Sequence, residues 1–118
     1  MPISELAVCV AKTKADIAAS GLVAPIVGRV GDGNFHVMPL IDFNDPAEVE
    51  RGYAFIDRLV QRALAHGRTS TGEHGIGQSN RKYMNLEHDR AALGLMRAVK
   101  QAIDPDNIMN PGKMLPEP

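Results

Sequence analysis

Apolar residues near the start of the chain recur at helical spacing. Leu6, Val10 and Ile17, with Ala7, Ala11 and Ala18 beside them, form a rough stripe that predicts a helix over residues 4–20. Ser4 is placed to cap this helix and Gly21 to end it, since glycine takes positive φ without steric cost. Two apolar runs follow, residues 22–30 and 35–41, and both read as strands. Between them lies Gly31-Asp32-Gly33-Asn34, and Asp-Gly between apolar runs predicts a hairpin. Asn44-Asp45-Pro46-Ala47-Glu48 then opens the best-patterned helix. Asp45 is the expected N-cap, Pro46 fits the first helical position, and Glu48 stands where a capping-box acid belongs. Val49, Tyr53, Ile56, Val60 and Leu64 recur along it as predicted core, and Gly67 stops it. Residues 68–79 are poor in core formers and predict a loop. From about Glu87, the positions of Ala92, Leu93, Met96, Val99 and Ile103 predict a last helix, ended by Asp104-Pro105. The order α-β-β-α-loop-α predicts an α+β fold, a small antiparallel sheet covered on one face by helices.

Composition narrows the picture. A chain of 118 residues with 44% hydrophobic residues fits one domain with a real core. A formal net charge of −1 argues against a nucleic-acid binder, which needs a basic face. The lone Cys9 excludes an internal disulfide and a Cys-only zinc site. Met1-Pro2-Ile3-Ser4-Glu5 carries no basic, then apolar, leader pattern. The expected location is therefore cytoplasmic, with any membrane association coming through partner subunits.

Three polar, glycine-rich clusters remain to be explained. They are residues 28–36 (Gly28-Arg29-Val30-Gly31-Asp32-Gly33-Asn34-Phe35-His36), Gly72-Glu73-His74-Gly75-Ile76-Gly77, and Asn110-Pro111-Gly112-Lys113. Glycines let a backbone approach a ligand, while Asn, Glu and His supply donors, acceptors and a titratable ring. Each cluster alone has a plainer reading as a turn or a solvated loop. None is a P-loop, because no Gly-Lys-Ser/Thr ending is present, and none is a strand-to-helix dinucleotide fingerprint.

Together, in this order and spacing, they are more specific. With Arg81-Lys82-Tyr83 and the closing Ile108-Met109-Asn110-Pro111-Gly112-Lys113, the chain resembles the C-terminal domain of FAD-linked oxidases of the vanillyl-alcohol-oxidase type. These include D-lactate dehydrogenases, the glycolate oxidase flavoprotein subunit and D-2-hydroxyglutarate dehydrogenase. The resemblance implies a ferredoxin-like C-terminal cap region spanning residues 1–118. It also implies that FAD is carried on a larger N-terminal domain that this chain lacks. The implied reaction oxidises a D-2-hydroxy acid to the 2-oxo acid. His74 is then the implied base, Asn34 and Asn110 lie near the flavin, Arg29 and His36 face the substrate, and His36 and Glu73 can ligate a divalent metal.

One departure bears on that metal. Relatives that hold it usually carry His where this chain has Arg29, and a guanidinium cannot ligate a cation. His36 and Glu73 are then too few for a firm zinc site, and Arg29 can place its own positive charge there. The chain by itself is expected to bind no FAD and to be catalytically silent. Its expected partners are an FAD-binding domain or subunit, a small 2-hydroxy acid, and a second copy in a homodimer, because the face meant for the FAD domain is left open. Two alternatives stay open: a non-catalytic module docking onto a separate FAD subunit, and a small metal-binding protein built on His36 and Glu73.

Overall fold

In the computed structural model, which describes residues 1–117, helix α1 spans Ile3–Ser20. Ser4 does not cap it. Pro2 is the N-cap residue, its carbonyl accepting from the Glu5 N–H at 3.0 Å, and Ser4 already lies inside the first turn. The stop is as expected, with Gly21 left-handed at φ 66. The chain divides into two units, Met1–Arg68 and Thr69–Pro118, and each is described by itself.

In the first unit α1 packs on helix α2, Pro46–Ala65. The buried stripe of α1 is Leu6, Cys9 and Thr13, while Ala7, Ala11 and Ala18 are exposed. The Thr13 hydroxyl donates to the Cys9 carbonyl at 2.7 Å and accepts from Arg62 Nη1 at 3.1 Å. One turn on, Asp16 accepts from Arg58 Nη2 at 2.7 Å and from Arg62 Nη2 at 2.8 Å. The two helices are thus joined by apolar contact at one end and by a charged ladder at the other.

The ladder has a measurable cost of removal. The Arg58 hydrogen bond above all, with help from Arg62 and Ser20, holds the Asp16 carboxyl below its ordinary 3.8 although burial pulls the other way. A depressed carboxyl contributes stability that is fully present above its unfolded pKa and is lost as pH falls through the folded one. Asp16→Asn is expected to lower unfolding stability at pH 7 by about 1–2 kcal/mol: hydrogen bonds to charged groups contribute about 1.5–3 kcal/mol, and the half-exposure of Arg58 lowers that through solvent screening. Urea titrations should show the gap between the two proteins closing as pH falls from about 4 downward. A gap that ignores pH would remove the ion ladder as its cause.

Asp45 caps α2 as expected, accepting from the Ala47 and Glu48 N–H groups at 3.0 and 3.4 Å. Glu48 reaches past the cap and accepts from the Asp42 N–H at 3.2 Å, which ties down the entering chain instead of closing a capping box. The buried face of α2 is Gly52, Phe55 and Val60; of the predicted stripe Val60 is buried and Val49, Ile56 and Leu64 are half-buried, while Tyr53 is 61% exposed. A Cβ at Gly52 would lie 2.5 Å from the end of the Ile41 side chain, which would have to shift to admit it.

Between the helices, strands β1 (Ile26–Arg29) and β2 (Asn34–Val37) form the antiparallel hairpin, the small sheet of an α+β fold. Both strands are shorter than predicted. Pro25 has no N–H for a ladder, Pro39 likewise, and beyond them only the Val23–Leu40 bridge continues the pairing. The turn is a short 3-10 segment, Val30–Asp32, closed by left-handed Gly33 at φ 65.

The second unit holds a 3-10 turn (Arg81–Tyr83), helix α3 (Met84–Glu87) and helix α4 (Arg90–Ile103). The last predicted helix therefore begins later than Glu87. Asp89 caps it, accepting from the Ala92 N–H at 2.7 Å, and extended His88 separates it from α3. Tyr83, Met84 and Leu93 are the buried apolar residues here, whereas predicted Val99 and Ile103 are exposed. No helix among the described residues is long and apolar enough to cross a membrane.

Candidate functional site

The hairpin register gathers three of the sequence candidates. Arg29 pairs with Asn34 and Val27 pairs with His36. Residues opposite each other share a face, and so do residues two apart along a strand. Arg29, Asn34 and His36 therefore project from one face with Val27, while Ile26, Phe35 and Val37 occupy the other. The polar face is the open one: Val27 and Arg29 are exposed, Asn34 and His36 half-buried. A guanidinium, a carboxamide and an imidazole on one face of the hairpin suit an anionic, hydroxylated ligand.

The second unit gathers the rest. Glu73 and His74 lie in the loop that opens it, and left-handed Gly75 (φ 71) follows them. The loop is anchored at its start by Glu87, which accepts from the Ser70 N–H at 3.0 Å and from its hydroxyl at 2.9 Å. Burial alone would raise the Glu87 carboxyl, but these bonds, with one from Thr69, leave it below the usual range. The Thr71 hydroxyl closes the loop on the Gly75 carbonyl at 3.1 Å. His74 is 78% exposed, with Nε2 3.8 Å from Glu73 Oε1. At its far end the loop is tied to the Asn-Pro-Gly-Lys turn. The Met114 N–H donates to the Gly77 carbonyl and Lys113 Nζ to Gln78 Oε1, each at 2.8 Å, and Arg81 Nη1 donates to the Gly112 carbonyl, also at 2.8 Å. Two motifs more than thirty residues apart thus form one cluster, with exposed Asn110 left-handed at φ 48.

Sequence reasoning missed the residue that holds this turn. The sequence marks Asp104 only as a helix stop. Its carboxylate is buried and accepts from the Ile108 and Met109 N–H groups at 3.0 and 2.9 Å and from Lys100 Nζ. The Lys100 bond first, and these N–H groups against the effect of burial, hold the carboxyl below its ordinary value. A signal was present: an acid at a helix C-terminus opposes the helix dipole, so it needs another reason to be there.

For a metal, the described residues contain no group of three or more His, Cys, Asp or Glu placed to hold one. With Arg29 cationic, His36 and Glu73 supply two ligands where such centres use three or four, so the donor set does not fit. For FAD, the carboxamides of Asn34 and Asn110 suit the donor and acceptor edge of an isoalloxazine ring. The described glycines lie in turns between strands or in loops, not in a strand-turn-helix diphosphate cradle.

Residues 1–114 match the family described as FAD linked oxidases, C-terminal domain. The chain belongs to that family. As an FAD-oxidase C-terminal domain it has named relatives. One from Danio rerio, "Probable D-lactate dehydrogenase, mitochondrial", is 46% identical over 98% of this chain and 23% of its own length. "D-lactate dehydrogenase [cytochrome] 1, mitochondrial" of Saccharomyces cerevisiae is 45% identical over 97% of this chain and 19% of its own length. "Glycolate oxidase subunit GlcD" of Bacillus subtilis is 37% identical over 97% of this chain and 24% of its own length. The domain thus spans about a fifth to a quarter of the relatives it matches. FAD is the cofactor of the complete enzymes in this family. The expectation of a cytoplasmic location is overturned, because the D-lactate dehydrogenases of Danio rerio, Saccharomyces cerevisiae and Arabidopsis thaliana that match are named as mitochondrial. The first residues of a stretch this short, set against relatives four to five times longer, do not bear on where a whole protein goes.

Proposed function

We propose that this chain is the C-terminal substrate-covering part of an FAD-dependent D-2-hydroxyacid dehydrogenase of D-lactate or glycolate type, completed by an FAD-binding domain or subunit. The observation that carries the reading is the 46% identity to a D-lactate dehydrogenase across 98% of the chain. The geometry supports it, since the residues a hydroxy acid needs stand on the open hairpin face and on the loop cluster of the second unit.

In this reading Arg29 binds the substrate carboxylate and His36 orients the hydroxyl from the same face. His74 takes the hydroxyl proton as the C2–H bond breaks. The imidazolium so formed lies beside the Glu73 carboxylate, which favours it. FAD, when bound, would supply the two-electron oxidant for C2, and the hydroxyl proton would stay on His74. Asn34 in the first unit and Asn110 in the second each carry a carboxamide that would hydrogen-bond the ring.

A homodimer is part of the proposal. A two-stranded sheet is marginal without further pairing, and an apolar hollow of about 250 Å³ opens between Ile41, Phe43 and the Val49–Tyr53 side of α2. The second reading, a docking module for a separate FAD subunit, draws support from the Bacillus relative being named a subunit.

Joined to an FAD-binding domain of the same family, the chain is expected to support dye reduction dependent on D-lactate or glycolate. Alone it is expected to purify colourless and, by light scattering, as a dimer. A joined protein that reduces no dye with any 2-hydroxy acid supports the docking reading instead, and a yellow, stoichiometrically flavinylated preparation of the chain alone overturns the division of labour.

A further inference from the structure

Asn110 can act on a flavin only if its turn is held, and the structure shows what holds it. The segment from the end of α4 to Asn110 is wound around one carboxylate. Asp104, its side chain 3% exposed, accepts from the N–H groups of Ile108 and Met109 and from the Lys100 ammonium. Lys100 in turn donates to Asn107 Oδ1 at 3.3 Å and to the Met109 carbonyl at 2.9 Å. The hub therefore fixes both peptide groups of the residue before Asn110. On the other side, Arg81 holds the Gly112 carbonyl and Gly77 holds the Met114 N–H. Asn110 lies between these two sets of ties in a left-handed conformation, as does Asn107 at φ 52. Such a conformation costs energy for a residue with a Cβ, and it persists where the surroundings impose it. A buried acid at a helix C-terminus also runs against the helix dipole. Two unfavourable features meet in one turn and are made compatible by the same carboxylate.

We propose that Asp104 is a positioning residue for the flavin, acting through Asn110: with Lys100 it sets the turn that presents the Asn110 carboxamide to the ring. The proposal rests on the reading that Asn110 contacts FAD. A plain helix cap would stabilise the domain equally well, so the test must separate the two roles.

The test is a double-mutant cycle in the FAD-loaded oxidase that carries this domain, using Asp104→Asn, Asn110→Ala and both together. The readouts are the FAD dissociation constant, from fluorescence titration of the apo-oxidase, and the position of the flavin absorbance bands. Asn110→Ala is expected to weaken FAD binding about tenfold and to shift the bands. Asp104→Asn is expected to reproduce that change, and the double variant to add nothing further, because coupled residues are not additive. Should Asp104→Asn fail to fold, Lys100→Met keeps the two backbone bonds and is expected to give a smaller loss in the same direction. Additive losses, or an unchanged flavin in Asp104→Asn while Asn110→Ala alters it, overturn the positioning role. An unchanged flavin in Asn110→Ala overturns the underlying reading of Asn110 instead, so the two failures are distinguishable.

Discussion

Phe55→Ala is expected to cost about 3–5 kcal/mol of unfolding stability, the range for truncating a fully buried aromatic ring. Phe55 is 0% exposed and is the largest fully buried side chain described. It sits on the buried face of α2 with Gly52 and Val60. Small domains have only about 5–15 kcal/mol to lose, so the variant should show a much lower urea midpoint or no cooperative transition at all. Tyr53→Ala is the internal comparison. Its ring is 61% exposed, and exposed substitutions change stability by about 0.5 kcal/mol or less. If the two variants proved equally damaging, the orientation of α2 described above would be wrong.

That pair of residues also marks where sequence patterning stopped being informative. The spacing of Val49, Tyr53, Ile56, Val60 and Leu64 correctly predicts a helix, since any face of a helix repeats with the same period. It also places Val60 in the core and Val49, Ile56 and Leu64 half-buried, but it misses Phe55 and Gly52 and miscounts Tyr53. Helix α1 forms where its pattern predicts, with Leu6 buried and Val10 and Ile17 half-buried. Its inner side also carries Thr13, Asp16 and Ser20, which no hydrophobicity pattern counts, because their partners Arg58 and Arg62 come from a helix some forty residues away. The hairpin was legible in its turn chemistry, and Pro25 and Pro39 account for its shortened strands.

For the candidate site, the alternation of residues 28–36 contains the result that Arg29, Asn34 and His36 share a face, once the register is known. The register itself follows from the turn. What the sequence hid was the clamp between the loop at Gly77 and the turn at Gly112. Its bonds are made by backbone groups and by the side chains of Arg81, Lys113 and Gln78, whose pairing no local pattern reveals. The metal alternative weakened for a reason visible from the start: Arg29 carries charge where a third ligand was needed.

His74→Ala in the completed oxidase is expected to lower kcat by about 100-fold or more, the usual scale for a lost acid–base group. The argument begins with exposure. At 78% exposed, the imidazole packs against little within this chain, so its removal should leave the urea midpoint nearly unchanged. A large kinetic loss without a stability loss then isolates chemistry from folding. The division between constants carries further information. If His74 acts as the base, it acts in the transition state, so kcat and kcat/KM should fall together while KM changes little. If it merely bound the carboxylate, KM would rise and kcat would be spared. Its neighbour provides a second check, because Glu73→Gln removes the charge facing the imidazolium and keeps the hydrogen-bonding shape. That variant should lose activity in the same direction but by less, since the exposed pair lies 3.8 Å apart and is partly screened by water. Steady-state kinetics with D-lactate or glycolate on the three proteins would measure all of this. A His74→Ala enzyme with near-normal kcat would remove this histidine from the mechanism and leave proton removal to a group outside this chain or to His36.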